Sequence, residues 1–179
     1  PKKRNQVRRA VEQCNIRPIP DLEQELERMR EINLSQALRQ EGGAGSDVPP
    51  SRYKDEANDW RRQIRQEFSL TGREWCGAFV NGILAAYLRT YQINGIRIIQ
   101  QVKSDTIFFK FHPVDALYFD LLSRAATDTS CTKIINGDPR HDSLNHFKEQ
   151  FLFRPLCFPY YSSKARLVDV YKQKILRIK

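Results

Sequence analysis

Hydrophobic positions recur along this chain with two periods, and the change from one to the other divides it into elements. Between Asp21 and Gln40, Leu22, Leu26 and Met29 make one apolar stripe at helical spacing. Asp21 with Gln24 fits a capping box, and Glu23, Glu25 and Glu27 suit the positive end of a helix. The stripe is narrow, so this helix is expected to lie along a partner or along the main domain. From Arg52 to Phe68 the same period returns through Tyr53, Ala57, Trp60, Ile64 and Phe68, with Arg61, Arg62 and Arg65 elsewhere on its surface. Thr71 with Glu74 is a second capping-box pair, and it predicts a third helix over Trp75 to about Gly82. The runs AAYLRTYQI and IRIIQQVK flank Asn94-Gly95, a hairpin signal because both residues tolerate the positive φ of a type I′ turn. A turn at Ser104 and Asp105 leads to TIFFKF, read as a third strand.

Pro113 then opens a helix, VDALYFDLLSRAA, and Thr132 to Ile135 is a short strand. Asp142 to Phe153 reads as helix, RPLCFPYY as extended chain, and Ser163 to the end as a basic helix. The expected fold is α+β: a small antiparallel meander with helices, preceded by an extended basic arm and an outlying helix. The Gly- and Pro-containing stretch EGGAGSDVPPS suggests arm and helix over 1–41, a linker over 42–51 and the α+β domain over 52–179.

Composition narrows the class. At 179 residues and 40% apolar content there is material for one full-sized core. Membrane-length apolar runs are missing, and the first twenty residues lack a hydrophobic leader. Cys14, Cys76, Cys131 and Cys157 are too widely spaced for CxxC chemistry and are expected to be reduced, mostly buried thiols. A mitochondrial or other organellar matrix is the expected location, with cytoplasm or nucleus as the alternative, and secretion is not expected.

Charge changes the picture more. The formal net charge is +9, and it gathers at the two ends. Lys2, Lys3, Arg4, Arg8 and Arg9 stand without an acid, and Lys164, Arg166, Lys172, Lys174, Arg177 and Lys179 face Asp169 alone. Such tips suit a polyanion, because each neutralised phosphate releases a counterion. Arg61, Arg62 and Arg65, with Arg89 and Arg97 on the meander, extend the candidate phosphate contacts, and Gln92, Gln100 and Gln101 could meet base edges.

Catalytic signatures are sparse. None of GxxxxGKT, GxGxxG, HExxH or GxSxG occurs. His141 and His146 are five apart, a poor metal spacing on a helix, and His112 has no partner identifiable from sequence. No cofactor or metal is expected.

The run WCGAFVNGIL resembles the helix motif of the LAGLIDADG homing endonucleases and maturases, with Gly77, Ala78, Phe79, Val80 and Gly82 in matching places. The resemblance spans 75–179, including RPLCFPYYSSKARLVDVYKQKIL at its end. It implies a curved nucleic-acid-binding sheet, but Asn81 and Ile83 stand where the motif has its metal-binding acids, so catalysis would be lost. The expectation is therefore a non-enzymatic RNA-binding component of a ribonucleoprotein, plausibly an organellar ribosome, contacting RNA and neighbouring proteins but no membrane. A protein-interaction adaptor is the alternative, and an active endonuclease a remoter one.

Overall fold

The computed structural model describes residues 2–41, 48–137 and 142–155. Two Asn-Gly dipeptides organise its sheet. Asn81 and Asn94 have φ of 51° and 48°, and the glycines that follow have 80° and 76°, so each dipeptide makes the tight turn that both-positive φ values permit. The second is the predicted hairpin. The first lies inside WCGAFVNGIL, where the sequence predicted a helix: β2 (Arg73–Val80) and β3 (Ile83–Ile93) are antiparallel strands joined by Asn81-Gly82. The physical reason is burial on both sides. Trp75 and Phe79 point to one face of the sheet and Cys76, Ala78 and Val80 to the other, and such a short continuous apolar run has no period to separate buried strand from buried helix. The LAGLIDADG resemblance rested on that helix and is corrected here.

β3 pairs antiparallel with β4 (Ile96–Ser104). β1 (Asn15–Pro18) pairs antiparallel with β2 at one edge, and β5 (Lys133–Ile135) pairs parallel with β4 at the other. The order is β1-β2-β3-β4-β5, a mixed sheet in an α+β fold. TIFFKF is a 3₁₀ helix, Thr106–Phe111, and not the predicted third strand. Asp105 caps it by accepting from the Ile107 N–H, and Arg28 and Ser35 fix that carboxylate from the opposite side.

Helices cover both faces. On one lie α2 (Leu22–Gln40), α3 (Ser51–Lys54) and α4 (Ala57–Phe68), whose Leu26, Met29, Ile32, Trp60 and Ile64 enclose Trp75 and Tyr87. Asp21 caps α2 as predicted, accepting from the Glu23 N–H at 3.0 Å. On the other face lie α5 (Pro113–Thr127), which starts at the predicted proline, and α1 (Lys2–Gln13). Residues 2–13, expected to be extended, are helical because Ala10 and Cys14 join the core beside Leu117 and Leu121. α6 (Asp142–Gln150) closes the described fold beyond β5. No described helix is long and apolar enough to cross a membrane.

Candidate functional site

β4 and β5 stay together only from Ile96 to Ile98. Past that point β4 continues to Ser104, while the chain after β5 turns away through Asn136 and Gly137 toward α6. A bulge helps to bend the strand: Arg89 faces Gln101 and Thr90 faces Ile99, leaving Gln100 as the extra residue. The separation opens a cleft of about 1420 Å³ between the β4 edge, α2, the start of α5 and α6. Beyond Ile98, the β4 backbone on this side pairs with no strand among the described residues.

The far wall is tied down by Tyr118 of α5. Its hydroxyl and the Asn136 side-chain amide exchange hydrogen bonds at 3.1–3.3 Å, and its ring meets Phe147, Phe151 and Phe153. Burial pushes the Tyr118 phenol up to about 12, so it remains a neutral hydroxyl.

At one end of the cleft is the N-terminus of α5. His112, at φ 53°, precedes Pro113 and carries its Nδ1 3.8 Å from the buried Asp115 carboxylate. Lys3 reaches the same carboxylate at 2.7 Å, with its ammonium over the rings of Phe147 and Phe151. The opposite wall is α2. Asn33, 1% exposed, donates through Nδ2 to the Met29 carbonyl and the Tyr87 hydroxyl, both at 2.6 Å, while its Oδ1 has no protein partner. Gln101 Oε1 on β4 is likewise buried and unpartnered. Arg39, near the end of α2, stacks on Phe109 at 4.7 Å. Desolvation lowers its pKa, and no carboxylate among the described residues pairs with it.

The residues predicted to grip phosphates are mostly engaged elsewhere. Arg61 binds Glu27, Arg62 binds Asp59, and Arg65 binds Glu23 at 2.6 and 2.8 Å, so this trio largely clamps α4 to α2. Arg89 pairs with Glu67 beneath Trp75, and Arg97 lies between Glu74 and Asp128. Lys2, Arg4, Arg8 and Arg9 are on the exposed side of α1, whereas Lys3 turns into the cleft. Lys164, Arg166, Lys172, Lys174, Arg177 and Lys179 lie outside the described residues, as do Cys157 and the predicted final helix. Because helices cover both faces of the sheet, the meander offers no open saddle of the kind predicted.

Of the cleft residues, the sequence assigns Gln100 and Gln101 to base edges and Lys3 to phosphate, and leaves His112 without a partner. Asn33 was missed, although a polar residue four after Met29 on the buried stripe is a readable anomaly. Cys14 and Cys76 are buried and free, with burial raising their thiols to about 11 and about 12, so neither is an activated nucleophile. No cluster of metal-ligating side chains occurs among the described residues.

No family model matches the chain, and no curated protein does. Solved structures do. A possible acetyltransferase from Clostridium difficile 630 superposes with a TM-score of 0.62 at 12% identity, covering 84% of this chain and 96% of that one. A ribosomal-protein-alanine N-acetyltransferase from Brucella melitensis biovar Abortus 2308 gives 0.56 at 16% identity, over 83% and 96%. An aminoglycoside antibiotic 6′-N-acetyltransferase from Acinetobacter haemolyticus gives 0.52 at 16% identity, over 83% and 97%. The chain thus has the GNAT acetyltransferase fold, and not that of a LAGLIDADG domain. The expected non-catalytic ribosomal RNA-binding role is overturned by the same finding, since these neighbours are enzymes.

Proposed function

We propose that the protein is an N-acyltransferase that uses the cleft between β4 and β5 to move an acyl group from a coenzyme A thioester to an amine. The observation that carries this reading is the splayed β4–β5 pair within the acetyltransferase fold. It leaves a strand edge and a large cleft side by side.

The residues fit such a donor unevenly. Unpaired amide and carbonyl groups of β4 beyond Ile98 suit the amide-bearing arm of the donor, as an added strand suits a sheet edge. A backbone cradle for the diphosphate is poorly supplied. The chain has no glycine between Gly95 and Gly137, Pro113 lacks an N–H, and the N–H groups of Asp115 and Ala116 are already bonded to the His112 carbonyl. Charge at that end must come from side chains such as Lys3 and His112, with Lys3 also neutralising Asp115.

The thioester supplies an acyl carbon open to attack. The amine nitrogen forms the new C–N bond, the C–S bond breaks, and the proton lost by nitrogen balances the one gained by the thiol. In this chain, backbone N–H groups of the β4 edge can bind the oxygen where negative charge develops. The proton lost by nitrogen leaves through water in the open cleft, while His112, beside Asp115 at the start of α5, belongs to the diphosphate end. The buried, neutral Cys14 and Cys76 favour direct transfer over a thiol-bound acyl enzyme.

The test is incubation of the purified protein with acetyl-coenzyme A and a panel of amines, following free thiol with a chromogenic disulfide. Amine-dependent thiol release supports the proposal. Release no faster than in buffer for every amine, with the protein folded, would refute it. With an active amine in hand, His112→Ala should raise the KM for acetyl-coenzyme A about fivefold and leave kcat little changed, as the loss of a donor-end contact does.

A further inference from the structure

The α2 wall carries two polar features without a hydrogen-bond or ion-pair partner among the described residues, and they differ in sign. Asn33 cannot turn its amide over. Both Nδ2 hydrogens are taken by the acceptors Met29 O and Tyr87 Oη, and a flip would set Oδ1 against the Met29 carbonyl. Oδ1 is therefore locked as an acceptor in the cleft wall, buried and unpartnered. The Gln101 side-chain amide on the facing strand is a second orphaned group, and with no hydrogen bond to fix it among the described residues, it can present its oxygen. They share a sheet face, because Tyr87, the partner of Asn33, is paired with Lys103, and Gln101 is two residues before Lys103; both line the cleft. A buried acceptor left without a donor costs about 1–3 kcal/mol, which a ligand N–H would recover. Two such acceptors suit one group with several N–H bonds, a primary amine or ammonium.

Arg39 has the opposite need. It is an exposed cation stacked on Phe109 at the same cleft, with no described carboxylate paired to it. It lies six residues after Asn33 on α2, roughly 9 Å along the helix axis. The carboxylate of the described lining is Asp115, already bonded to Lys3, so a polycation would find no unpaired acid among the described lining residues.

We infer that this wall is the acceptor site of the proposed transferase, and that it selects a primary amine whose molecule carries an anionic group several bonds away. Asn33 and Gln101 receive the amine, and Arg39 receives the anion. The inference rests on the acyltransferase reading only in calling the bound amine an acceptor; the binding itself needs no donor.

The experiment is ligand-observed NMR on the full chain with 6-aminohexanoate, in which amine and carboxylate are separated by five methylenes. Hexylamine and hexanoate each lack one group, and the aminoglycoside sisomicin supplies a polycation. 6-Aminohexanoate should bind at least about tenfold more tightly than either truncated probe and more tightly than sisomicin, the scale of one charged hydrogen bond. Arg39→Gln should reduce its affinity to that of hexylamine, and Gln101→Met should lower it part of the way to that of hexanoate, Asn33 remaining. Gln101 is only partly buried and Arg39 is exposed, so both variants are expected to fold. Equal binding of hexylamine and 6-aminohexanoate, preferred binding of sisomicin, or no binding of any probe would overturn the inference. If 6-aminohexanoate binds as stated and no amine is acylated, the site stands and the transferase reading falls. Acylation of polyamines alone would do the reverse.

Discussion

Asp105 shows how one residue can be decisive without touching the cleft chemistry. It is 4% exposed and accepts from Arg28 at 2.5 Å, from Ser35 at 2.8 Å and from the Ile107 N–H at 3.2 Å. Burial alone would raise its pKa, but these donors outweigh burial and hold it below the ordinary carboxylate range. A depressed pKa in the folded state means that its stabilisation is fully present above the unfolded value, near 4, and is lost as pH falls through the lower folded value. Asp105→Asn should therefore flatten the acid side of the stability profile, read as urea midpoints between pH 7 and pH 2. Arg28→Ala at neutral pH should cost about 3 kcal/mol, because it strands a mostly buried carboxylate, and adding Asp105→Asn should recover part of that loss. Sequence reading placed Asp105 in a turn and stopped there. Its partners are 70 and 77 positions away, and no local pattern announces contacts of that range.

At the scale of elements, local chemistry was legible where it acts alone. Asp21 caps α2, Pro113 starts α5 and Asn94-Gly95 turns the hairpin, each through an interaction confined to a few neighbouring residues. The same Asn-Gly logic applies to Asn81-Gly82, but the apolar run ahead of it reads as a helix, and no turn is predicted there. The two turns should respond differently to alanine. At Gly82, φ is 80° with nothing within 4 Å of an added Cβ, so Gly82→Ala should cost about 1 kcal/mol, from backbone strain alone. At Gly95 the added carbon would also come within 3.1 Å of Thr132 Oγ1 and 3.2 Å of the Ser130 carbonyl. Gly95→Ala should lose more, and thermal unfolding of the pair measures the difference. Equal losses would mean that the β5 approach tolerates displacement. The 3₁₀ turn at TIFFKF was illegible for another reason: alternation suited a strand, while its actual shape is imposed by the Asp105 cap and by α2.

The cleft belongs to the whole molecule, and for that reason it was the least legible feature. It needs β4 and β5 to run parallel for three residues and then part, with a 15-residue helix, α5, between them in sequence. Charge, by contrast, was legible in amount and misleading in use. Arginines counted as a polyanion surface are partners of acids on neighbouring helices, and Lys3, counted in an arm, is bonded across 112 positions to Asp115. α1 is thus a structural member of the fold: it contributes Ala10 to the core and the counter-ion for a carboxylate at the mouth of the cleft. If so, removing residues 1–13 must expose apolar surface on α5 and leave Asp115 buried without its cation, a defect of about 3–5 kcal/mol from the charge alone. The truncated chain should unfold at a clearly lower urea concentration than the full chain, and Lys3→Met should account for part of the shift while keeping the helix. An unchanged midpoint after truncation would restore the picture of a dispensable arm. It would also detach α1 from the donor end of the cleft, where Lys3 is the cation closest to Asp115.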